Sequence, residues 1–277
     1  MRLNRCQGLT FAFALLLCTD GVSAEATSVT VYADDSYPPY SYLEDGTAKG
    51  LYTKILQTAF SRMPDYHVKI EAVPWKRGLK LLESGSGFAL YPPYMHYKKR
   101  PYIWPYSLPI LDERVVVYCH AKVMDKFERF LWPEHYYGLT IGINAGFQVG
   151  GDEFWEAVNT KKIKVMEVRG NREGLLSLGK RRADCYMNDR LSINLELLSL
   201  RNSGEYREGS THAKLVEGAT VTLEQGFLGY TDRDQGKFAY KSDFQKQLDI
   251  QIYEMRRTGE LQQIMDNFSL EFTLPDN

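Results

Sequence analysis

The stretch Val29–Met63, VTVYADDSYPPYSYLEDGTAKGLYTKILQTAFSRM, decides the fold class. Its β-branched opening, Val29-Thr30-Val31, predicts a strand that breaks into a loop of aromatics and prolines, Tyr37-Pro38-Pro39-Tyr40. A turn at Asp45-Gly46 follows. Then Leu51, Ile55, Leu56, Ala59, Phe60 and Met63 recur at helical spacing, which gives a helix with one apolar face. Two consecutive prolines fix their own φ and push Tyr37 out of the α region. The loop is therefore stiff, and it lies at the carboxyl end of a strand, where open α/β sheets bind their ligands. Tyr37 and Tyr40 are candidates for one wall of a small-molecule pocket. A Tyr/Pro-rich loop packed only on its own lobe is the competing reading.

Strands and helices alternate through the rest of the chain, which argues for α/β architecture. Strands are expected near 67–73, 88–91, 114–120, 139–143, 164–168 and 184–188, with an extended segment over 220–230. Helices are expected over 75–83, after the loop 144–151 with Asp152 as N-cap, over 171–180 with Asn171 as cap, and over 191–200. A Tyr- and Pro-rich loop spans 92–109. Two C-terminal helices, 242–257 and 260–268, separated by Gly259, are left over once two α/β units have been counted.

The first residues follow the secretory pattern: Arg2 and Arg5, an apolar run over 9–18 too short to span a bilayer, and Val22-Ser23-Ala24 as a small-residue cleavage site. Cleavage after Ala24 would release an exported protein. The net charge of −1 leaves no electrostatic footprint for nucleic acid. Of the four cysteines, Cys119 and Cys185 lie outside the leader, both in expected strands. A disulfide suits an oxidising compartment, but spacing cannot establish the geometry of a bridge, and two buried free thiols are expected. The five histidines are scattered without metal-ligand spacing, and there is no Gly-rich phosphate loop, nucleophile elbow or zinc signature. No cofactor or metal is expected.

Several segments, in order, carry a resemblance: DDSYPPYSYLEDGTAKGL (34–51), VPWKRGLKLLESG (73–85), Arg100 with Tyr106-Ser107 beyond it, LTIGINAGFQVGGDEF (139–154), RRADCYMNDR (181–190) and RTGELQQIMDNF (257–268). Together they resemble bacterial extracellular solute-binding proteins of family 3, the periplasmic receptors of polar amino-acid ABC importers. The resemblance implies a two-lobe periplasmic-binding-protein fold (type II), with two mixed sheets flanked by helices and joined by two crossover strands. Lobe I would comprise 25–112 and 224–277, and lobe II 113–223, which would return the leftover helices to the first lobe. A ligand would lie between the lobes and be buried by hinge closure.

The resemblance also implies roles. Arg100, which by itself reads as part of a solvated basic run, Lys98-Lys99-Arg100, falls where the family places the guanidinium that forks onto a ligand carboxylate, a task its planar donors suit. Asp189 falls where an acid accepts from the ligand ammonium, and it is equally an N-cap for the next helix. Gln148 occupies a donor position. Tyr37, Tyr40 and Trp75 match an aromatic wall, and Asp34 reads as a turn acid at its strand end or as a partner for a basic ligand group. One departure matters: Tyr91-Pro92-Pro93-Tyr94-Met95 replaces the usual Ser, Thr or Gly donors before the arginine. Proline has no N–H to donate, leaving Tyr94 to supply a hydroxyl, which argues against an ordinary α-amino-acid ligand. The implied partners are a small solute and an inner-membrane ABC permease, for a monomeric protein. A sensor or stand-alone binding protein of the same fold is the alternative. A cyclohexadienyl dehydratase-like enzyme would need an acid in the cleft, for which Glu173 and Glu224 are the candidates.

Overall fold

The computed structural model describes residues 25–125, 129 and 131–273, with side chains to residue 268. The leader and its cleavage site lie outside the described residues. The elements run β1 (Thr27–Asp34), β2 (Ser36–Tyr37), β3 (Ser41–Glu44), β4 (Thr47–Lys49), α1 (Leu51–Phe60), β5 (Tyr66–Val73), α2 (Trp75–Glu83), β6 (Ala89–Tyr91), β7 (Ile103–Tyr106), β8 (Leu111–His120) and α3 (Ala121–Met124). After a 3-10 turn at Glu134–Tyr136 come β9 (Thr140–Asn144), α4 (Gly151–Asn159), β10 (Lys164–Val168), α5 (Asn171–Gly179), β11 (Cys185–Asp189), α6 (Arg190–Asn202), β12 (Leu215–Gly226), β13 (Gly229–Thr231), α7 (Lys241–Thr258) and α8 (Glu260–Thr273).

Two five-stranded mixed sheets result, ordered β5-β1-β6-β13-β7 and β10-β9-β11-β8-β12, each flanked by helices to make a lobe. A small sheet β2-β3-β4 packs beside β1, β5 and α1 of the first lobe. Strands β8 and β12 pair antiparallel from Leu215 opposite His120 to Gly226 opposite Leu111, and they carry the chain between the lobes. Leu111 belongs to the core of the first lobe and Val115 to a core of the second. The chain therefore passes from one lobe to the other at Asp112, Glu113 and Arg114.

Each core follows from the sequence pattern. In α1, Leu51, Ile55, Leu56, Ala59 and Phe60 turn inward and meet Phe244, Leu248, Ile252 and Met255 of α7, so the leftover helices do pack on the first lobe. Gly259 ends α7 in the left-handed region at φ 79, a conformation glycine enters without a Cβ penalty. In the second lobe, Val115, Val117 and Cys119 of β8 enter one core while Val116 and Tyr118 enter another. Both faces of that sheet are covered, which is why the strand reads as a continuous apolar run.

Three expectations are corrected. Cys119 and Cys185 form a disulfide rather than two free thiols. The antiparallel register of β8 and β11 places them directly opposite one another, a relation invisible from a separation of 66 residues. The N-cap of α4 is Gly150, not Asp152, because the chain enters this helix through two positive-φ glycines, Gly150 and Gly151. Asn171 is the first residue of α5, not its cap. Its side chain turns inward, where Tyr186 and Asn188 donate to its Oδ1. The loop 92–109 also holds an additional strand, β7.

Candidate functional site

Six of the eight residues singled out from sequence line one cavity between the lobes: Asp34, Tyr37, Trp75, Tyr94, Arg100 and Gln148. Pro92, His96, Phe147 and Val149 complete it. Each arrives at the end of an element. Asp34 closes β1, Trp75 opens α2 after Pro74, and Phe147 and Gln148 lie in the loop between β9 and α4. The loop after β6 brings Pro92, Tyr94, His96 and Arg100 to the same place. The cavity measures about 20 Å³, room for roughly one water molecule.

It is small because the second lobe fills it. Phe147 stands edge-on to Tyr37, with centroids 5.4 Å apart, and edge-on to Trp75 at 5.9 Å. It packs against the cores of both lobes. Polar contacts join the two lobes as well. The Arg100 Nη2 donates to the Gly146 carbonyl at 2.8 Å, and Ser192 Oγ and Asn171 Nδ2 donate to the Pro38 carbonyl at 2.7 and 3.1 Å. Tyr40 donates to Asp189 Oδ1 at 3.0 Å. Lys76 pairs with Glu167 and Lys99 with Asp152 at the rim, both exposed enough to contribute little.

Arg100 is the electrostatic centre of the cavity. It is 4% exposed, its guanidinium lies 5.6 Å from the centroid of the Trp75 ring, and no carboxylate pairs with it among the described residues. Burial lowers its pKa, which marks an uncompensated charge. Trp75 Nε1 is likewise buried without an acceptor, and Gln148 brings an amide to the same cavity. At the same cavity, Asp34 is 3% exposed and is pushed up to about 7 by burial, against the opposing pull of the Ser36 amide. No cation lies within ion-pair distance of it among the described residues. His96 is pushed down to about 4, first by burial and then by the Arg100 and Lys99 charges, so it is neutral at pH 7. The arrangement offers donors at Arg100, Trp75 and Gln148, one acid at Asp34, and aromatic faces between them.

Tyr40 and Asp189 do not line this cavity. They border a separate groove of about 300 Å³ beside the passage between the lobes, with Leu111, Arg114 and Met265. The Asp189 carboxylate is filled by protein donors: the Ser192 amide at 2.9 Å as the α6 N-cap, the Arg114 amide at 3.0 Å, and Tyr40. Glu173 is exposed and accepts from the Arg169 amide, and Glu224 lies on β12; neither lines the cavity. No cluster of three or more metal-ligating side chains occurs among the described residues, and no described helix is long and apolar enough to cross a membrane.

Sequence reasoning missed Phe147 and Glu113. Glu113 had a signal: it shares the inward parity of Leu111 and Val115, a charge where an apolar residue belongs. Its carboxylate accepts from Tyr37 and Tyr52 at 2.5 Å each and from Tyr94 at 2.6 Å. Tyr52 reaches it across Gly226, where a Cβ would sit 1.8 Å from the Tyr52 hydroxyl. Phe147 had none, since nothing local distinguishes a loop aromatic that crosses a cleft.

Comparisons with known proteins agree with this architecture. The chain is similar over 88% of its length, and 96% of the other's, to a histidine kinase sensor domain described as similar to periplasmic binding proteins (14% identity, TM-score 0.69). A structure from work on glutathione import via GshT and the cystine ABC importer TcyBC of Streptococcus mutans matches 91% of this chain and 98% of its own (15% identity, TM-score 0.69). A mutant of ArgBP from T. maritima matches 87% and 94% (15% identity, TM-score 0.65). At these identities the likeness shows the fold. No curated protein sequence matches the chain. A family model for the bacterial extracellular solute-binding proteins, family 3, matches residues 29–271, nearly the whole described chain, and the protein belongs to that family.

Proposed function

We propose that this protein captures a small polar solute, an amino acid or related compound, in the periplasm by lobe closure and delivers it to an ABC importer, without covalent chemistry. The observation that carries this reading is Arg100: a buried guanidinium at the junction of the lobes with a single backbone acceptor. A cation so placed calls for an anion, and a ligand carboxylate would take both of its forward donors. Asp34 would accept a cationic group of the same solute, with Tyr37, Trp75 and Tyr94 as the walls and Trp75 Nε1 and Gln148 as further donors. In this reading Asp189, already occupied, serves to hold the lobes together through Tyr40. Closure follows because only the shut form presents both lobes to the solute. Phe147 must withdraw as the lobes part, since the closed cavity is too small for any amino acid.

The test is a thermal-shift screen of the mature protein against amino acids, amines and small carboxylates. A solute that stabilises wild type and not Arg100→Ala supports the reading, and the absence of any stabilising solute rejects it. The fold match to a histidine kinase sensor domain supports a second reading, in which the same capture signals through a membrane partner. Uptake of the identified solute by cells lacking this gene separates the two: import requires a loss of uptake, signalling does not.

A further inference from the structure

A buried carboxyl lies where the chain passes between the lobes. Glu113 is 2% exposed and sits on β8 between Leu111 of the first lobe's core and Val115 of the second's. Its three hydroxyl donors come from three separate pieces of the first lobe: Tyr37 from β2, Tyr52 from α1, and Tyr94 from the loop after β6. Tyr37 and Tyr94 are themselves walls of the cavity, with hydroxyls 3.3 Å apart.

We propose that Glu113 is a positioning residue and closure latch, its one carboxyl holding the wall tyrosines Tyr37 and Tyr94 in register when the lobes shut. This latch presupposes the lobe motion proposed above. Rotation about residues 112–114 would carry the carboxyl away from the three hydroxyls and into water. The latch then senses pH. In the shut form, burial and the nearby Asp189 carboxylate push Glu113 up to about 8, outweighing the three tyrosine donors that favour its ionised form. The groups that act on it most are Asp189 and these three tyrosines. Tyr40 is bonded to Asp189, Glu224 faces Glu113 in the β8–β12 register, and burial raises the pKa of each. No cation of the described residues compensates it.

A hydrated Glu113 in the open form would titrate in the ordinary range, near 4.3. Closing between about pH 5 and pH 8 therefore takes up one proton, and the closed-to-open ratio falls by as much as about tenfold per pH unit across that window. Above pH 8 the dependence flattens.

Small-angle scattering of the ligand-free mature protein from pH 5 to 9 tests this. Wild type should expand as pH rises, Glu113→Gln should stay compact throughout, and Glu173→Gln should follow wild type, since Glu173 is exposed and lies outside the cavity. Carbon-13 NMR of glutamate carboxyls in the shut form should show one titration near pH 8 that disappears in Glu113→Gln. The same titration should move upward in Tyr52→Phe, which removes a donor without touching the cavity wall. A wild type whose size ignores pH, a Glu113→Gln variant that expands in step with it, or an unmoved titration in Tyr52→Phe each overturns the latch. A protein that expands through Glu113 yet binds no solute would reject the solute reading and leave the latch standing.

Discussion

Replacing Arg100 by alanine separates a ligand-binding arginine from a structural one, because the two roles predict opposite effects on the ligand-free protein. Among the described residues, the Arg100 side chain makes one hydrogen bond, to the Gly146 carbonyl, worth about 1 kcal/mol. Its place over Trp75 adds about 0.5–2 kcal/mol. Against these stands the cost of burying a charge with no carboxylate beside it, on the order of several kcal/mol. The ligand-free variant should therefore unfold at the wild-type temperature or above it. With solute the sign reverses. A ligand at 100 times its dissociation constant stabilises wild type by about 2.7 kcal/mol, or roughly 5–10 °C for a chain of this size. Removing the cationic half of a buried pair costs about 2–5 kcal/mol of binding, roughly a thirtyfold to several-thousandfold loss of affinity. At the same solute concentration the variant should retain less than about 1 kcal/mol of stabilisation. Scanning calorimetry with and without a carboxylate solute reads both numbers. A ligand-free variant that melts several degrees lower, yet keeps the full ligand shift, would refute the reasoning.

Further outcomes follow from other contacts. Asp189→Ala removes the α6 N-cap and the Tyr40 bond between the lobes, so stability should drop by about 1–3 kcal/mol in urea titrations; unchanged stability would mean that those bonds carry nothing. Reducing the Cys119–Cys185 bridge releases a constraint over 66 residues and should cost about 4 kcal/mol, seen as a lower melting temperature in reductant. A melting temperature indifferent to reductant would contradict it. Asp34 is raised to about 7 in the folded protein, so between about pH 4 and pH 7 the folded state binds more protons than the unfolded state. Its contribution to the stability of the ligand-free protein therefore declines as pH rises through that window, by at most about 1.4 kcal/mol per unit. Asp34→Asn should flatten this slope, and an unaltered slope would show that Asp34 does not titrate there. A solute with a cationic group on Asp34 should release protons on binding near pH 6.5, measured calorimetrically in buffers of different ionisation enthalpy; no buffer dependence would argue against that pairing.

Much of the fold was legible because its elements are locally specified. Helix α2 matches its expected limits, as does β10, and α7 stops at Gly259, where chain chemistry alone demands a stop. Apolar spacing fixed α1, and apolar runs fixed β8 and β11 because both faces of their sheet are covered. What the sequence hid was relational. The disulfide depends on the register between β8 and β11, and the entry to α4 on two glycines whose positive φ overrides a good capping residue two positions on. At the site, loops that start at strand ends could be foreseen as a wall, and Asp34, Tyr37, Trp75, Tyr94, Arg100 and Gln148 do meet at one cavity. Asp189 reads identically from sequence whether it faces a ligand or caps a helix; the structure surrounds it with protein donors. Phe147 fills the cleft only because the lobes meet, and Glu113 collects three tyrosines that lie far apart in the chain.

The most direct measurement is a crystal structure of the mature protein with a saturating solute identified by the thermal screen. The solute should lie between the lobes with an anionic group within hydrogen-bond distance of the Arg100 guanidinium, and with Phe147 moved from between Tyr37 and Trp75. A solute bound elsewhere, such as the outer groove between α1, β4 and β5, with Arg100 still on the Gly146 carbonyl, would contradict it.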